Sequence, residues 1–181
     1  MSDDQRSPII LETGRLILRY QQASDVDFLV DLWSDPAVTS YMGGPRDRDW
    51  LRSVFEETAR DPYAERYDLW PVVAKRTGKA VGHCGLLEKE VEGRREIELT
   101  YILASSVWGK GYATEVGQAL KRYAFEELGI GRLIALIEPQ NVASERVAVK
   151  IGMRLEQEVI RPGGELRKLY AVSREDTSVA P

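Results

Sequence analysis

Val107-Trp108-Gly109-Lys110-Gly111-Tyr112-Ala113-Thr114-Glu115 sets two glycines one residue apart, between an apolar stretch and a helical pattern. Glycine opens backbone conformations closed to other residues and lets a ligand come close to the main chain. The unpaired N–H groups of the following helical turn, together with the helix dipole, favour negative charge. The stretch reads as an anion cradle whose ligand is a phosphate or pyrophosphate. Two glycines alone would equally serve a plain tight turn, so the flanks decide.

Upstream, Glu96-Ile97-Glu98-Leu99-Thr100-Tyr101-Ile102-Leu103 puts Leu99, Tyr101 and Leu103 on one face and Glu98, Thr100 and Ile102 on the other, the period of a strand. Downstream, Ala113, Val116, Leu120, Ala124 and Leu128 recur at helical spacing and Gly129 supplies a stop. Three phosphate-binding designs run strand, glycine turn, helix. A Walker loop is longer and ends in Lys then Ser or Thr, which this chain lacks. A dinucleotide fingerprint wants a third small residue where Thr114 stands and an acid after the next strand. Glu138 ends that strand but comes late, and the strands before the glycines read as a meander rather than as parallel β-α-β units. A third design remains.

The residues Trp108 to Glu115, following the Glu98-x-x-Tyr101 strand, resemble the acyl-CoA-binding motif of the GNAT superfamily of N-acyltransferases. Within it they look most like the ribosomal-protein alanine N-acetyltransferases. The resemblance runs over nearly the whole chain, from Gly14-Arg15-Leu16-Ile17-Leu18-Arg19 through Asn141-Val142-Ala143-Ser144 to Lys150-Ile151-Gly152-Met153. One departure is Ser106, where the superfamily has Gln or Arg three residues before the first motif glycine. Main-chain N–H groups hold most of the phosphate, so this change bears on the detail of the turn more than on its ligand.

A chain of 181 residues, 43% hydrophobic, makes one domain with a real core. No run nears the roughly 20 apolar residues that span a bilayer, and the polar opening carries no signal-peptide pattern. The expectation is a cytoplasmic protein with no membrane partner. Cys84 is the only cysteine and no Cys/His cluster has zinc spacing, so neither a disulfide nor a metal is expected. The net charge of −4 speaks against a nucleic-acid surface and suits a cationic substrate such as an amine. A homodimer stays open.

Residues 15–20 read as the first strand, and Ser24-Asp25 as the cap of a helix faced by Phe28, Leu29, Leu32 and Trp33. Residues 38–45, with Tyr41, Met42 and two glycines, read as a surface loop or, by the resemblance, as a loop over the acceptor pocket. A second helix over residues 46–60 turns Trp50, Val54 and Phe55 inward. A meander over 68–75, 79–89 and 94–103 follows, turning at Thr77-Gly78 and Glu92-Gly93. Residues 132–137 are apolar on both faces, as a buried parallel strand is. Asn141 opens a helix that Gly152 closes, and a hairpin turns at Pro162-Gly163-Gly164. The fold class is α/β (α+β). The resemblance implies a mixed, mostly antiparallel sheet of six to seven strands, flanked by helices and splayed between the fourth and fifth. It forms one domain over 9–174, with unstructured residues 1–8 and 175–181.

The resemblance implies acetyl transfer from acetyl-CoA to a primary amine, a protein N-terminus or a small molecule, in a ternary complex. Pantetheine then lies along backbone groups of Ile102, Leu103 and Ala104, with a main-chain N–H near Ile102 toward the thioester oxygen. Trp108, Gly109, Lys110, Gly111, Tyr112, Ala113 and Thr114 take the pyrophosphate, Asn141 and Ser144 the pantetheine, and Arg146 a phosphate. An amine with a pKa of roughly 8 or more arrives largely protonated and needs a base. Glu98 is the candidate, on the strand face opposite Leu99 and Tyr101, with Glu96 its rival and pairing to Arg94 or Arg95 its bland alternative. No tyrosine stands in the helix after the fifth strand, where many superfamily members keep a general acid, so Ser144 is the candidate donor to the thiolate. Asn141 could equally be only a helix cap, and His83, the sole histidine, reads as a packed residue. Two other readings stay open: a non-catalytic acyl-CoA-binding module, and a nucleotide-binding enzyme.

Overall fold

The computed structural model describes residues 9–177. Its strands are β1 (Ile9–Glu12), β2 (Leu16–Arg19), β3 (Leu69–Ala74) and β4 (Lys79–Val91). After these come β5 (Arg94–Leu103), β6 (Arg132–Ile137), β7 (Arg154–Ile160) and β8 (Leu166–Ser173). They form one sheet in the order β1-β2-β3-β4-β5-β6-β8-β7. Gly78 and Gly93, at φ of 66° and 75°, make the turns of the central meander, as tight hairpins require. Every neighbour pairs antiparallel except β5 and β6, which run parallel and pair only at Glu98 and Ile134. Beyond that point the two strands part, the splay expected between the fourth and fifth strands counted from residue 15.

The helices are α1 (Val26–Ser34), α2 (Pro36–Thr39), α3 (Arg48–Arg60), α4 (Tyr112–Glu126), α5 (Val142–Lys150) and α6 (Arg174–Thr177). On one side of the sheet, α4 presses Val116, Leu120, Ala124 and Phe125 onto Leu16, Leu86, Leu99 and Leu133, with Ala148 and Ile151 from α5 and its end. Burying each large aliphatic side chain contributes roughly 1.5–3 kcal/mol, which makes this the main core. On the other side α1 and α3 meet through Leu29, Val30, Leu51 and Phe55, while Leu32 reaches Leu69 and Ile102 on the sheet.

Four details depart from the sequence reading. An eighth strand, β1, extends the sheet beyond Leu16–Arg19. Asp25 does not cap α1 with its side chain; its carboxylate accepts from Arg19 and from the Gln22 N–H. In α3 the buried residues are Leu51 and Phe55, four apart, and Trp50 is turned out to 56% exposure. A short helix, α2, leads into the loop over residues 38–45, and Met42 packs against the Leu32, Leu69 and Ile102 group. Residues 1–8 and 178–181, expected to be unstructured, lie outside the described residues, and α6 is a helical turn.

Gly85 on β4 lies beneath the Asp68 carbonyl, which accepts the Leu86 N–H at 3.1 Å. A Cβ at this glycine would stand 2.0 Å from that carbonyl oxygen. Gly85→Ala must therefore push β3 from β4, and urea unfolding should show a loss of about 1–3 kcal/mol, the usual scale of overpacking.

Candidate active site

The glycine turn has the geometry expected of an anion cradle. Gly109 and Gly111 take φ of 73° and 77°, a left-handed conformation that suits glycine. Gly111 is the N-cap of α4 and lends no side chain to the cap. The first helical bond recorded there is from Glu115 N–H to the Gly111 carbonyl. The N–H groups of Tyr112, Ala113 and Thr114 thus end the helix without helical acceptors. A Cβ on Gly109 would meet nothing within 4 Å, and one on Gly111 only an Arg15 nitrogen at 3.5 Å. Open space above unpaired donors at a helix N-terminus fits a pyrophosphate.

Side chains brace the turn from behind. Val107 is buried, the Trp108 indole donates to the Leu103 carbonyl at 2.8 Å with its ring half exposed, and Lys110 Nζ donates to the Ser106 carbonyl at 3.1 Å. Arg15 adds a clamp that no local spacing in the sequence reveals. Its guanidinium donates to the Lys110 carbonyl at 2.8 Å and to Glu115 Oε2 at 2.5 Å, and lies over the Tyr112 ring. Glu115 Oε1 also accepts from Thr13 Oγ1 at 2.5 Å and from the Arg15 N–H at 2.9 Å. Burial alone would raise the Glu115 carboxyl, but these bonds outweigh it and hold it below the ordinary value.

The end of β5 beyond its single pairing with β6 leads toward the cradle. The Ala104 N–H donates to the Val81 carbonyl, which fixes the alternation of the β4–β5 ladder. Main-chain groups of Ile102 therefore turn toward β4, and those of Tyr101 and Leu103 toward the gap. The Ala104 carbonyl is also taken, by the Val107 N–H. The open side of β5 is thus lined by Tyr101 and Leu103 rather than by Ile102 and Ala104, and the Leu103 carbonyl is already held by Trp108. Across the gap, Tyr101 Oη donates to the Ser144 carbonyl at 2.9 Å, tying β5 to α5. Asn141 does cap α5, its Oδ1 accepting the Ser144 N–H at 3.1 Å, and its Nδ2 has no partner among the described residues. The Ser144 hydroxyl is likewise without one, and Arg146 is exposed on the same helix.

Glu98 sits where the splay begins, on the face covered by α1 and α3. Its Oε1 reaches across to the Leu136 N–H of β6 at 3.4 Å. Burial pushes its carboxyl above the ordinary carboxylate range, against the Lys89 charge, the Leu136 N–H and the charges of Arg161 and Arg167. Glu96 is engaged elsewhere, with Arg132, which also holds Glu156 in a two-pronged bond at 2.7 Å. Arg95 pairs with Glu88, so it does not claim Glu98. His83 is buried with both ring nitrogens used: Nδ1 accepts from the Trp33 indole at 3.1 Å, and Nε2 donates to the Leu69 carbonyl at 3.0 Å. Burial lowers it to about 4, so it is neutral at physiological pH. Cys84 is buried, its thiol pushed up to about 12, with Sγ against the Ile102 carbonyl. Among the described residues no group of His, Cys, Asp and Glu could hold a metal ion, and no helix is long and apolar enough to cross a membrane.

A splayed sheet with a glycine cradle at the mouth of the gap is the architecture of an acyl-CoA-dependent transferase. The profile of the acetyltransferase (GNAT) domain matches residues 15–154. A Bacillus subtilis protein, the uncharacterized YkkB, is 38% identical over 144 residues, 79% of this chain and 84% of its own length. The uncharacterized N-acetyltransferase p20 of Bacillus licheniformis is 32% identical over 152 residues, 81% of this chain and 83% of its own. The crystal structure of a GNAT-family acetyltransferase from Bacillus anthracis superposes with a TM-score of 0.78 at 27% identity, covering 91% of this chain and 98% of that one. The chain belongs to the GNAT family of acetyltransferases, and its enzyme class is acetyl-CoA-dependent transfer.

Arg15→Met keeps the length of the clamp and removes its donors, so titration calorimetry should show coenzyme A binding weakened by about tenfold in a folded variant, the worth of a charged hydrogen bond. Gly111→Asp puts a carboxylate and a side chain at a left-handed cradle position. It should abolish coenzyme A binding in the same assay while circular dichroism stays native.

Proposed function

We propose that this enzyme transfers the acetyl group of acetyl-CoA directly to a primary amine within a ternary complex. The observation that carries the reading is Glu98, a carboxylate made more basic by burial, at the point where β5 and β6 separate. When bound, acetyl-CoA supplies an acetyl group already activated as a thioester. Main-chain N–H groups over residues 109–114 and the N-terminus of α4 would hold its pyrophosphate, with Trp108 and Lys110 bracing the turn and Arg146 toward a phosphate. Asn141 Nδ2 and Ser144 would face the pantetheine. The N–H groups of Tyr101 and Leu103 are the candidates for the oxyanion donor that the sequence put near Ile102.

Glu98 would take the proton of the attacking ammonium, directly or through one water. Its elevated pKa narrows the gap to an amine of roughly 8, so the transfer runs less steeply uphill than to an ordinary carboxylate. Ser144 Oγ would give a proton to the departing thiolate. Cys84, buried and held as a thiol, is a poor covalent carrier, which supports direct transfer. The likeness to ribosomal-protein alanine N-acetyltransferases supports a peptide N-terminus as acceptor. A small-molecule amine is supported by the enclosed space beside Glu98.

Glu98→Gln keeps the shape and removes the proton acceptor, and kcat/KM at neutral pH should fall by roughly 10²–10⁴-fold with coenzyme A affinity nearly unchanged. The wild-type rate should decline as pH drops through the raised Glu98 pKa, because only the ionised carboxylate accepts a proton. The variant should lack that limb and regain part of its loss as rising pH delivers neutral amine. A pH–rate profile of thiol release measures both, and a variant with wild-type activity at pH 7 would refute the role of Glu98.

A further inference from the structure

Beside Glu98, on the same face of the sheet, a cavity of about 200 Å³ lies between α3, the end of α1, and strands β3 and β4. Its walls are largely apolar and aromatic, with Trp33, Trp50, Phe55 and Leu87 prominent. Leu87 is the direct cross-strand partner of Glu98, so the cavity begins one strand from the carboxylate. Strands stand roughly 4.8 Å apart, and the cavity reaches over β4 to Leu69 of β3. Its interior therefore lies roughly 5–10 Å from the Glu98 position.

Two side chains in this apolar lining keep acceptor capacity unused. Gln21 is only 4% exposed, and its Nε2 donates to the Phe55 carbonyl at 2.6 Å. That bond fixes the amide orientation, since the reverse would set oxygen against oxygen. Gln21 Oε1 is then left buried with no partner among the described residues. Asp68, also in the wall, spends one oxygen on the Leu69 N–H at 2.7 Å and has no cation paired to it among the described residues. Neither neighbouring base answers them. His83 is neutral with both nitrogens bonded, and the Arg46 guanidinium is turned to the Gly44 and Met42 carbonyls. A buried amide oxygen and an unpaired carboxylate among aromatic rings ask for a group rich in N–H donors and positively charged.

We propose that the acceptor is a small amine bearing a second cationic nitrogen, which this cavity binds through Gln21 Oε1 and Asp68 while the first nitrogen reacts beside Glu98. This rests on the acetyl-transfer reading above. The volume equals that of about six waters at roughly 30 Å³ each, enough for an alkylammonium or guanidinium arm. The span to Glu98 suits the carbon chain of a short diamine. Trp50, exposed on its outer edge, forms the rim through which the arm enters.

The test compares cadaverine with hexylamine, a chain of equal length in which a methyl replaces the second ammonium. Thiol release gives kcat/KM for each, and calorimetry without acetyl-CoA gives their direct binding to the full chain. Cadaverine should be preferred by about tenfold or more in both, as a charged hydrogen-bonded contact warrants. Asp68→Asn and Gln21→Met should each bring that ratio toward unity, with the loss falling on cadaverine. Retained coenzyme A binding checks the fold, and if Gln21→Met does not fold, Asp68→Asn decides. Equal use of the two amines, or a preference untouched by Asp68→Asn, overturns the inference and leaves acetyl transfer standing. Preferential cadaverine binding with no thiol released from any amine does the reverse, removing the transfer reading and keeping the cavity. Absence of both overturns both.

Discussion

The whole arrangement depends on one interruption of pairing. β5 and β6 meet at Glu98 and Ile134 and then separate, although both lie in the middle of an eight-stranded sheet. A central strand with unpaired N–H and C=O groups is costly unless something replaces the lost ladder. Here part of the replacement is internal. Glu98 reaches the Leu136 N–H, Trp108 takes the Leu103 carbonyl, and Tyr101 bridges to the Ser144 carbonyl. What these side chains do not satisfy could be taken up by a ligand with amide groups of its own, as pantetheine would be in the proposed reaction.

The two faces of the sheet divide the work. Under α4 and α5 the core is one large apolar cluster, mostly leucine, valine, isoleucine and alanine with Trp70, Phe125, Tyr170 and Met153 among them. Under α1 and α3 the packing breaks into smaller groups, and both buried side-chain atoms without partners among the described residues belong to this side, Gln21 Oε1 and Thr100 Oγ1. Thr100 shares the strand face of Glu98 and Ile102. Unpaired polar atoms lower stability, and proteins keep them where a substrate or water can complete them. The better-packed half carries the fold, and the other half holds Glu98 and the atoms that a bound molecule could complete.

Much of this was legible in the chain. The period of two over residues 96–103 identified the strand face of Glu98, and the glycines with their helical sequel identified the cradle, because both signals are local. Contacts made by distant residues were not. Nothing within a window of residues connects Arg15 to Lys110 and Glu115, and nothing tells which side of β5 the Ile102 main chain will face until the Val81–Ala104 bond sets the ladder. Trp50 was misplaced for a related reason. Phe55, which the sequence also turned inward, is buried on α3 together with Leu51, and what α1 presents opposite decides that face. β1 is short and at the sheet edge, where three apolar residues and Glu12 carry too little periodicity to distinguish strand from approach segment.

The clamp on the glycine turn has a thermodynamic consequence. Thr13 and Arg15 precede Glu115 by 102 and 100 residues and sit between the two outermost strands at one edge of the sheet. The cradle in its finished form cannot exist in a fragment or in a chain whose first strands have frayed. An anion bound there is linked to the docking of that edge, so the free energy of occupancy is added to the stability of the native state as a whole, by RT ln(1 + [L]/Kd). In a cell with ample coenzyme A, the most peripheral strands of this protein would be held in place by the ligand at its centre.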